Sequence, residues 1–229
     1  MSGAGGKAFC AGGDIMALYN AGIEKAGSDK NVLAEFPASE YLLDYSMVTM
    51  KPYQIALWNG VVMGGGVGLS CHAPIRVATD NTLYAMPETG IGFFTDVAGS
   101  YFLPRIKGNS CIGMFLGLTG HRLKARDVVT WGVATHFVPQ EKMETLKNDI
   151  IHNVSENSSD KDIEEIVNAH AEEDTGSIPD LDHINRAFTS DGTVQDIVSR
   201  LESSDTDFAR KTLKRLSGLS PLSLGVVFE

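Results

Sequence analysis

Residues 53–78 constrain the fold more than any other stretch of this chain. Tyr53-Gln54-Ile55-Ala56-Leu57-Trp58 is a short apolar run closed by Asn59-Gly60, and it reads as a buried strand entering a turn. Met63-Gly64-Gly65-Gly66-Val67-Gly68-Leu69-Ser70 then opens a helix, and Ile75-Arg76-Val77-Ala78 forms a second strand. Strand, glycine-rich turn, helix and strand in this order make a right-handed crossover unit, the building block of α/β folds. A third short strand is expected over 82–85, ended by Pro87.

The surrounding sequence fits an α/β core followed by helices. Apolar positions from Glu40 through Val48 follow a helical stripe, and Pro52 stands just beyond its end. Residues 1 to about 110 read as mixed strand, loop and helix, and 111–152 mostly as helix with one strand. The polar remainder is punctuated by helix-start chemistry: Ser158-Ser159-Asp160 before Ile163, Thr193 before Ile197, and Asp207 before a Lys/Arg-rich helix. Residues 153–160 and 172–182 are expected loops. The division this suggests is a core over 1–152 and a helical C-terminal region over 153–229.

Composition narrows the class of function. Among 229 residues, 43% are apolar and 21% charged, which is ordinary for a soluble globular protein. The net charge of −10 disfavours a nucleic-acid partner, because the phosphate backbone is repelled on average. No apolar run is long enough to span a bilayer, and no export signal is visible. Cys10, Cys71 and Cys111 lack metal-ligand spacing, so reduced thiols are expected and no metal site. The chain enters a dense motif almost at once, with little room for a preceding strand; the expectation is an N-terminally truncated fold.

Three segments carry chemistry. They are Lys7-Ala8-Phe9-Cys10-Ala11-Gly12-Gly13-Asp14-Ile15, then Met63-Gly64-Gly65-Gly66, then Met86-Pro87-Glu88 leading to Asp96. Glycines at a strand-to-helix turn let the backbone approach a ligand and leave N–H groups free at the helix start, where they favour developing negative charge. Gly64 to Gly66 are therefore candidate oxyanion donors, although a lone glycine triplet is more often a tight turn. Asp14 is placed to cap a helix, with Gly13 beside it. Glu88 follows a proline at a strand end, and Asp96 lies beyond the aromatic pair Phe93-Phe94. A carboxyl group in such an apolar wall acquires a raised pKa and can serve as acid, base or nucleophile.

Taken together, KAFCAGGDI, MGGG and MPETGIGFFTDVAGSYFLPR, in this order and spacing, resemble the crotonase superfamily, and within it the 3-hydroxyisobutyryl-CoA hydrolases. Gly120-His121-Arg122-Leu123 and Ala134-Thr135-His136-Phe137 extend the resemblance, which is densest over 3–138 and loose over the polar C-terminal zone. It implies a crotonase-like ββα spiral core. It also implies an oxyanion hole from the N–H groups of Gly13 and Gly65, catalytic Glu88 and Asp96, and a substrate contact from Glu40. Hydratases of the superfamily carry a glutamate three residues after the middle glycine, where this chain has Gly68. Near Asp96 the family commonly has Pro before the Asp and Gly-Gly after the Val, where this chain has Thr95 and Ala98-Gly99; a slightly altered loop is expected.

The activity so implied is hydrolysis of the thioester of 3-hydroxyisobutyryl-CoA, and of 3-hydroxypropionyl-CoA, in valine breakdown in the mitochondrial matrix. CoA is then part of the substrate, and no separate cofactor is needed. Self-association is left open. Two alternatives stand beside this reading. An enoyl-CoA isomerase needs one base, which Glu88 supplies, whereas Gly68 argues against a two-glutamate hydratase. A noncatalytic acyl-CoA-binding protein would follow if the chain lacks flanks that support the site.

Overall fold

The computed structural model describes residues 1–24 and 30–229. Two small sheets grow side by side along the chain. Strand β1 (Ala8–Cys10) is followed by helices α1 (Ile15–Glu24) and α2 (Lys30–Thr49). Strands β2 (Ile55–Trp58) and β3 (Val61–Met63) lead into the short helix α3 (Gly65–Gly68), and β4 (Ile75–Ala78) and β5 (Leu83–Ala85) come next. β2 pairs parallel with β4, while β3 pairs parallel with β1 and β5. Successive strands therefore alternate between the sheets. Each short turn between them changes layer, and the chain winds as a spiral.

Pro87 ends β5, and a 3-10 turn over Glu88–Ile91 follows. Beyond it come α4 (Gly99–Phe102), α5 (Ser110–Thr119), β6 (Leu123–Lys124), α6 (Asp127–Thr130) and β7 (His136–Phe137). β6 joins the first sheet antiparallel to β5, giving the order β1-β3-β5-β6. β7 joins the second parallel to β4, giving β2-β4-β7. The crossover expected between 55–58 and 75–78 is thus present, with all four residues of each strand in register. β3 was not foreseen. Its three residues are too few to display a period, and they belong to the other sheet. Two strands, rather than one, lie within 111–152.

Period-2 alternation explains why the second sheet is buried on both faces. Ala56 and Trp58 of β2 enter the larger apolar cluster, while Leu57, with Ile75 and Val77 of β4, enters a smaller one. Helices α7 (Met143–Asn153) and α8 (Asp160–His170) cover that smaller cluster through Met143, Leu146, Ile163 and Val167. The remaining helices are α9 (Leu181–Ala187), α10 (Val194–Glu202), α11 (Asp207–Leu216) and α12 (Pro221–Phe228). They join the larger cluster around α5 through Ile184, Phe188, Ile197, Leu201, Leu216 and Leu224. Ser159 and Thr193 cap α8 and α10 with full capping boxes to Asp162 and Asp196. The cap of α11 is Thr206, which accepts from Ala209 N, and not Asp207. Asp207 occupies the first turn instead, where its charge complements the helix dipole.

Leu116 of α5 is fully buried within the larger cluster. Leu116→Ala leaves a cavity there, and an unfolding free energy lower by about 2–5 kcal/mol is expected in urea titration.

Candidate active site

The turn into α3 is the centre of the site. Gly64 holds φ +51°, a conformation that L side chains rarely adopt. Val67 N and Gly68 N both donate to Gly64 O, at 2.8 and 3.3 Å, so the N–H groups of Gly65 and Gly66 precede the first helical hydrogen bond. Around this turn the chain is packed as closely as glycine allows. A β-carbon on Gly66 would collide with Cys10 O, one on Gly65 with Glu40 Oε1, and one on Gly68 with Val97 Cβ. The first glycine motif lies directly against it: a β-carbon on Gly12 would stand 3.4 Å from Gly65 N. Gly13 follows, its Cα facing the Phe36 ring, and Asp14 Oδ1 caps α1 by accepting from Ala17 N at 3.0 Å.

Glu88 approaches from the other side. It is 5% exposed, and its Oε1 lies 3.1 Å from where a Gly64 β-carbon would be. Its Oε2 is buried without a partner among the described residues. The 3-10 turn that carries it is fastened from below: Thr89 Oγ1 donates to Leu118 O at 3.1 Å, and Ser220 N to Thr89 O at 3.1 Å. α5 and the start of α12 thereby fix where Glu88 points. Burial pushes its carboxyl up to about 7, a backbone hydrogen bond opposes this, and the charge of Asp96 adds to it.

Asp96 is half-buried and accepts a hydrogen bond from Tyr41 Oη at 2.9 Å. Burial raises its pKa, against the lowering effect of that bond. Glu40, on the same helix as Tyr41, is raised by burial and by the charges of Asp96 and Asp44. Gly65, Glu40, Glu88 and Asp96 are thus brought together, with Gly13 on the adjoining segment. A cavity of about 490 Å3 opens beside Asp96, lined in part by Tyr41, Phe94, Val97, Met114 and Phe228.

Two residues escaped the sequence reading. Tyr41 orients Asp96, and Asp44 is a buried carboxylate whose oxygens both stand 3.0 Å from the position of a Gly68 β-carbon. The signal for Asp44 was its place one helical turn after Glu40, on the same face of α2.

The loop after Asp96 has a clear physical form. Val97 and Ala98 hold φ +44° and +64°, and Gly99 N donates to Asp96 O at 2.7 Å. A left-handed conformation costs a non-glycine residue about 1–2 kcal/mol, and Ala98 sits where the resembling family commonly has glycine.

A family model for enoyl-CoA hydratase/isomerase matches residues 1–229. The chain belongs to the enoyl-CoA hydratase/isomerase family. It is similar along its whole length to proteins named "3-hydroxyisobutyryl-CoA hydrolase, mitochondrial" from Danio rerio, at 48% identity, and from Homo sapiens, at 44%. It spans 59% of the length of each. Among solved structures, a carnitinyl-CoA dehydratase from Mycobacterium thermoresistibile aligns with TM-score 0.83 and 33% identity over 98% of this chain and 62% of that one. An enoyl-CoA hydratase from Rhodobacter sphaeroides aligns with TM-score 0.78 and 33% identity, over 97% and 61%. The two-sheet spiral is therefore the crotonase-like fold that the three motifs implied.

Two predictions follow from the geometry. Ala98→Gly removes the left-handed strain but adds about 0.5–1 kcal/mol of unfolded-state entropy. A net gain of about 0.5–1 kcal/mol in unfolding free energy is expected. The raised Glu88 pKa has the opposite sign from an ion-paired carboxylate. The unfolded chain releases this proton near 4.5, and the folded protein only near 7. Stability from this group is therefore full at low pH and falls as pH rises from about 4.5 to about 7. Glu88→Gln is expected to stabilise the protein at pH 8, by up to about 3 kcal/mol, and not at pH 4; urea unfolding at the two pH values measures the difference.

Proposed function

We propose that this chain carries the thioester-cleaving site of a 3-hydroxyisobutyryl-CoA hydrolase. The observation that carries the reading is the pairing of a buried Glu88 against the Gly64–Gly68 turn with a Gly68 that has no room for a side chain. A two-glutamate hydration site needs a carboxylate at that position, and Val97 and Asp44 fill the space instead. The names of the relatives from Danio rerio and Homo sapiens support the same choice. They also support a mitochondrial setting, which we extend to the matrix and to valine breakdown, with 3-hydroxypropionyl-CoA as a second substrate.

The chemistry runs as covalent acyl transfer. The N–H groups of Gly13 and Gly65 polarise the thioester carbonyl and hold the oxyanion as it forms, each worth about 3 kcal/mol of barrier. Ionised Glu88 attacks the carbonyl carbon. The C–S bond breaks, CoA leaves as the thiolate and takes up a proton, and an acyl anhydride joins the acid to Glu88. Water adds to the Glu88 carboxyl carbon of the anhydride, the bond from that carbon to the bridging oxygen breaks, and the free hydroxy acid departs. Asp96, oriented by Tyr41, accepts a hydrogen bond from the substrate hydroxyl and assists proton transfer. Glu40 lies along the glycine turn, where it contacts bound substrate.

Because Glu88 must be ionised to attack, kcat/KM is expected to rise with pH through about 7. In a thiol-release assay with 3-hydroxyisobutyryl-CoA, Glu88→Gln should lower kcat by about 10³-fold and Asp96→Asn by about 10²-fold. Turnover in oxygen-18 water should place label in the Glu88 carboxylate; an unlabelled carboxylate sinks the anhydride route in favour of direct water attack. Double-bond migration in an enoyl-CoA without thiol release would assign Glu88 to an isomerase instead.

A further inference from the structure

The C-terminal end of α5 lies behind both reacting carboxylates. A helix leaves its last four carbonyls without intrahelical partners. In α5 these belong to Leu116, Gly117, Leu118 and Thr119, and each meets a donor. Gly120 N donates to Leu116 O at 3.0 Å, and Arg215 Nε, from α11, donates to Thr119 O at 2.9 Å. The two carbonyls between them are taken by threonines that adjoin the site. Thr95 Oγ1, one residue before Asp96, donates to Gly117 O at 3.3 Å. Thr89 Oγ1, one residue after Glu88, donates to Leu118 O at 3.1 Å.

Both hydroxyls are enclosed. Thr89 is 0% exposed and Thr95 8%. A buried hydroxyl without a partner costs its full desolvation, so each threonine is held to the helix end. Backbone packing supports the first tie: a β-carbon on Gly120 would stand 3.1 Å from Met86 O and 3.2 Å from Pro87 Cα, the residues that lead into Glu88. Ser220 N, donating to Thr89 O at 3.1 Å, closes the other side of the turn. The second tie depends on the residue type. Thr95 stands where the resembling family commonly has proline, which offers no donor of any kind.

Glu88 sits on a single 3-10 turn and Asp96 on a loop. Such segments hold a reactive geometry only when a rigid element fixes them. We propose that Thr89 and Thr95 are a pair of positioning residues, which dock the Glu88 turn and the Asp96 loop on consecutive carbonyls of α5 and so set the spacing of the two carboxylates. This inference rests on the hydrolase reading for what Glu88 and Asp96 do; the docking itself does not.

Thiol release from 3-hydroxyisobutyryl-CoA, and from isobutyryl-CoA, which lacks the hydroxyl, tests the two ties separately. Thr89→Val keeps the shape and removes the donor. It should lower kcat by about 10²-fold on both substrates with KM nearly unchanged, as for a misplaced nucleophile. Thr95→Val should cost the hydroxylated substrate about 10-fold more in kcat/KM than it costs isobutyryl-CoA, because Asp96 meets the hydroxyl. Thr89→Ser and Thr95→Ser should restore most of each loss. If a valine variant does not fold, serine against alanine at the same position decides, since the two differ by the hydroxyl alone. A loss that serine shares belongs to the methyl group and overturns the proposal, as do folded valine variants with wild-type kinetics. Crystal structures of the wild type and of Thr89→Val separate the docking from the chemistry. Glu88 is expected to shift by about 1 Å relative to Gly64 in the variant, and a carboxylate that stays in place overturns the proposal whatever the activity. A wild type that keeps both ties but releases no thiol refutes the hydrolase reading and leaves the docking standing.

Discussion

The close approach of backbone and carboxylates to residues 64–68 is the constraint on which the remainder of this structure depends. Cys10 O, Glu40, Asp44, Glu88 and Val97 all reach to within contact of positions where a β-carbon would sit. They come from three different parts of the chain. β1 delivers Cys10, α2 delivers Glu40 and Asp44, and the segment after β5 delivers Glu88 and Val97. Only a run of glycines admits so many neighbours at once, and only a spiral that returns repeatedly to the same layer can supply them. Site and fold are here one steric arrangement.

That convergence sets an electrostatic problem. Glu40, Asp44, Glu88 and Asp96 crowd around one short helix, and burial or mutual repulsion raises the pKa of all four. The described contacts to them include no salt bridge to a cation. The tyrosine hydroxyl on Asp96 is what moderates the most connected member. The remaining cost is met by packing far away: the apolar cluster centred on α5, with α9 to α12 folded around it, holds the Glu88 turn through Thr89. Helices with little chemistry of their own therefore keep the carboxylate where it is useful and unstable.

The sequence made most of this legible where local rules are strong. β2 and β4 were readable because four apolar residues in one, and three around Arg76 in the other, leave few alternatives, and α8 and α10 because Ser159 and Thr193 are efficient caps. Glu88, Asp96, Gly65 and Glu40 were reached through the order and spacing of three motifs, and the fold draws them together. β3 was not readable, since its three residues carry no stop signal such as the Pro87 that marks β5, and of the two-residue β6 and β7 only one strand was expected, because such short strands are defined by their partners. Thr206 was hidden by Asp207, a residue of similar capping strength one position later. Asp44 was hidden for a different reason. On α2 it is one polar residue in a helix with exposed Leu42, Leu43 and Tyr45 around it, and nothing local says that its side chain alone is enclosed.

Gly68 and Asp44 are best understood as one feature. Removing the side chain at residue 68 leaves room beside the glycine turn, and in a close-packed interior such room is either filled or hydrated. Val97 fills part of it, at the expense of a left-handed backbone that a β-branched residue tolerates poorly. Asp44 fills the rest, from a different helix and with a shorter reach than a glutamate at residue 68 would have. A carboxylate thereby reaches the side of α3 from α2 and is not carried on α3 itself. A carboxylate carried on α3 would move with the glycine turn, whereas one on α2 is positioned independently of it.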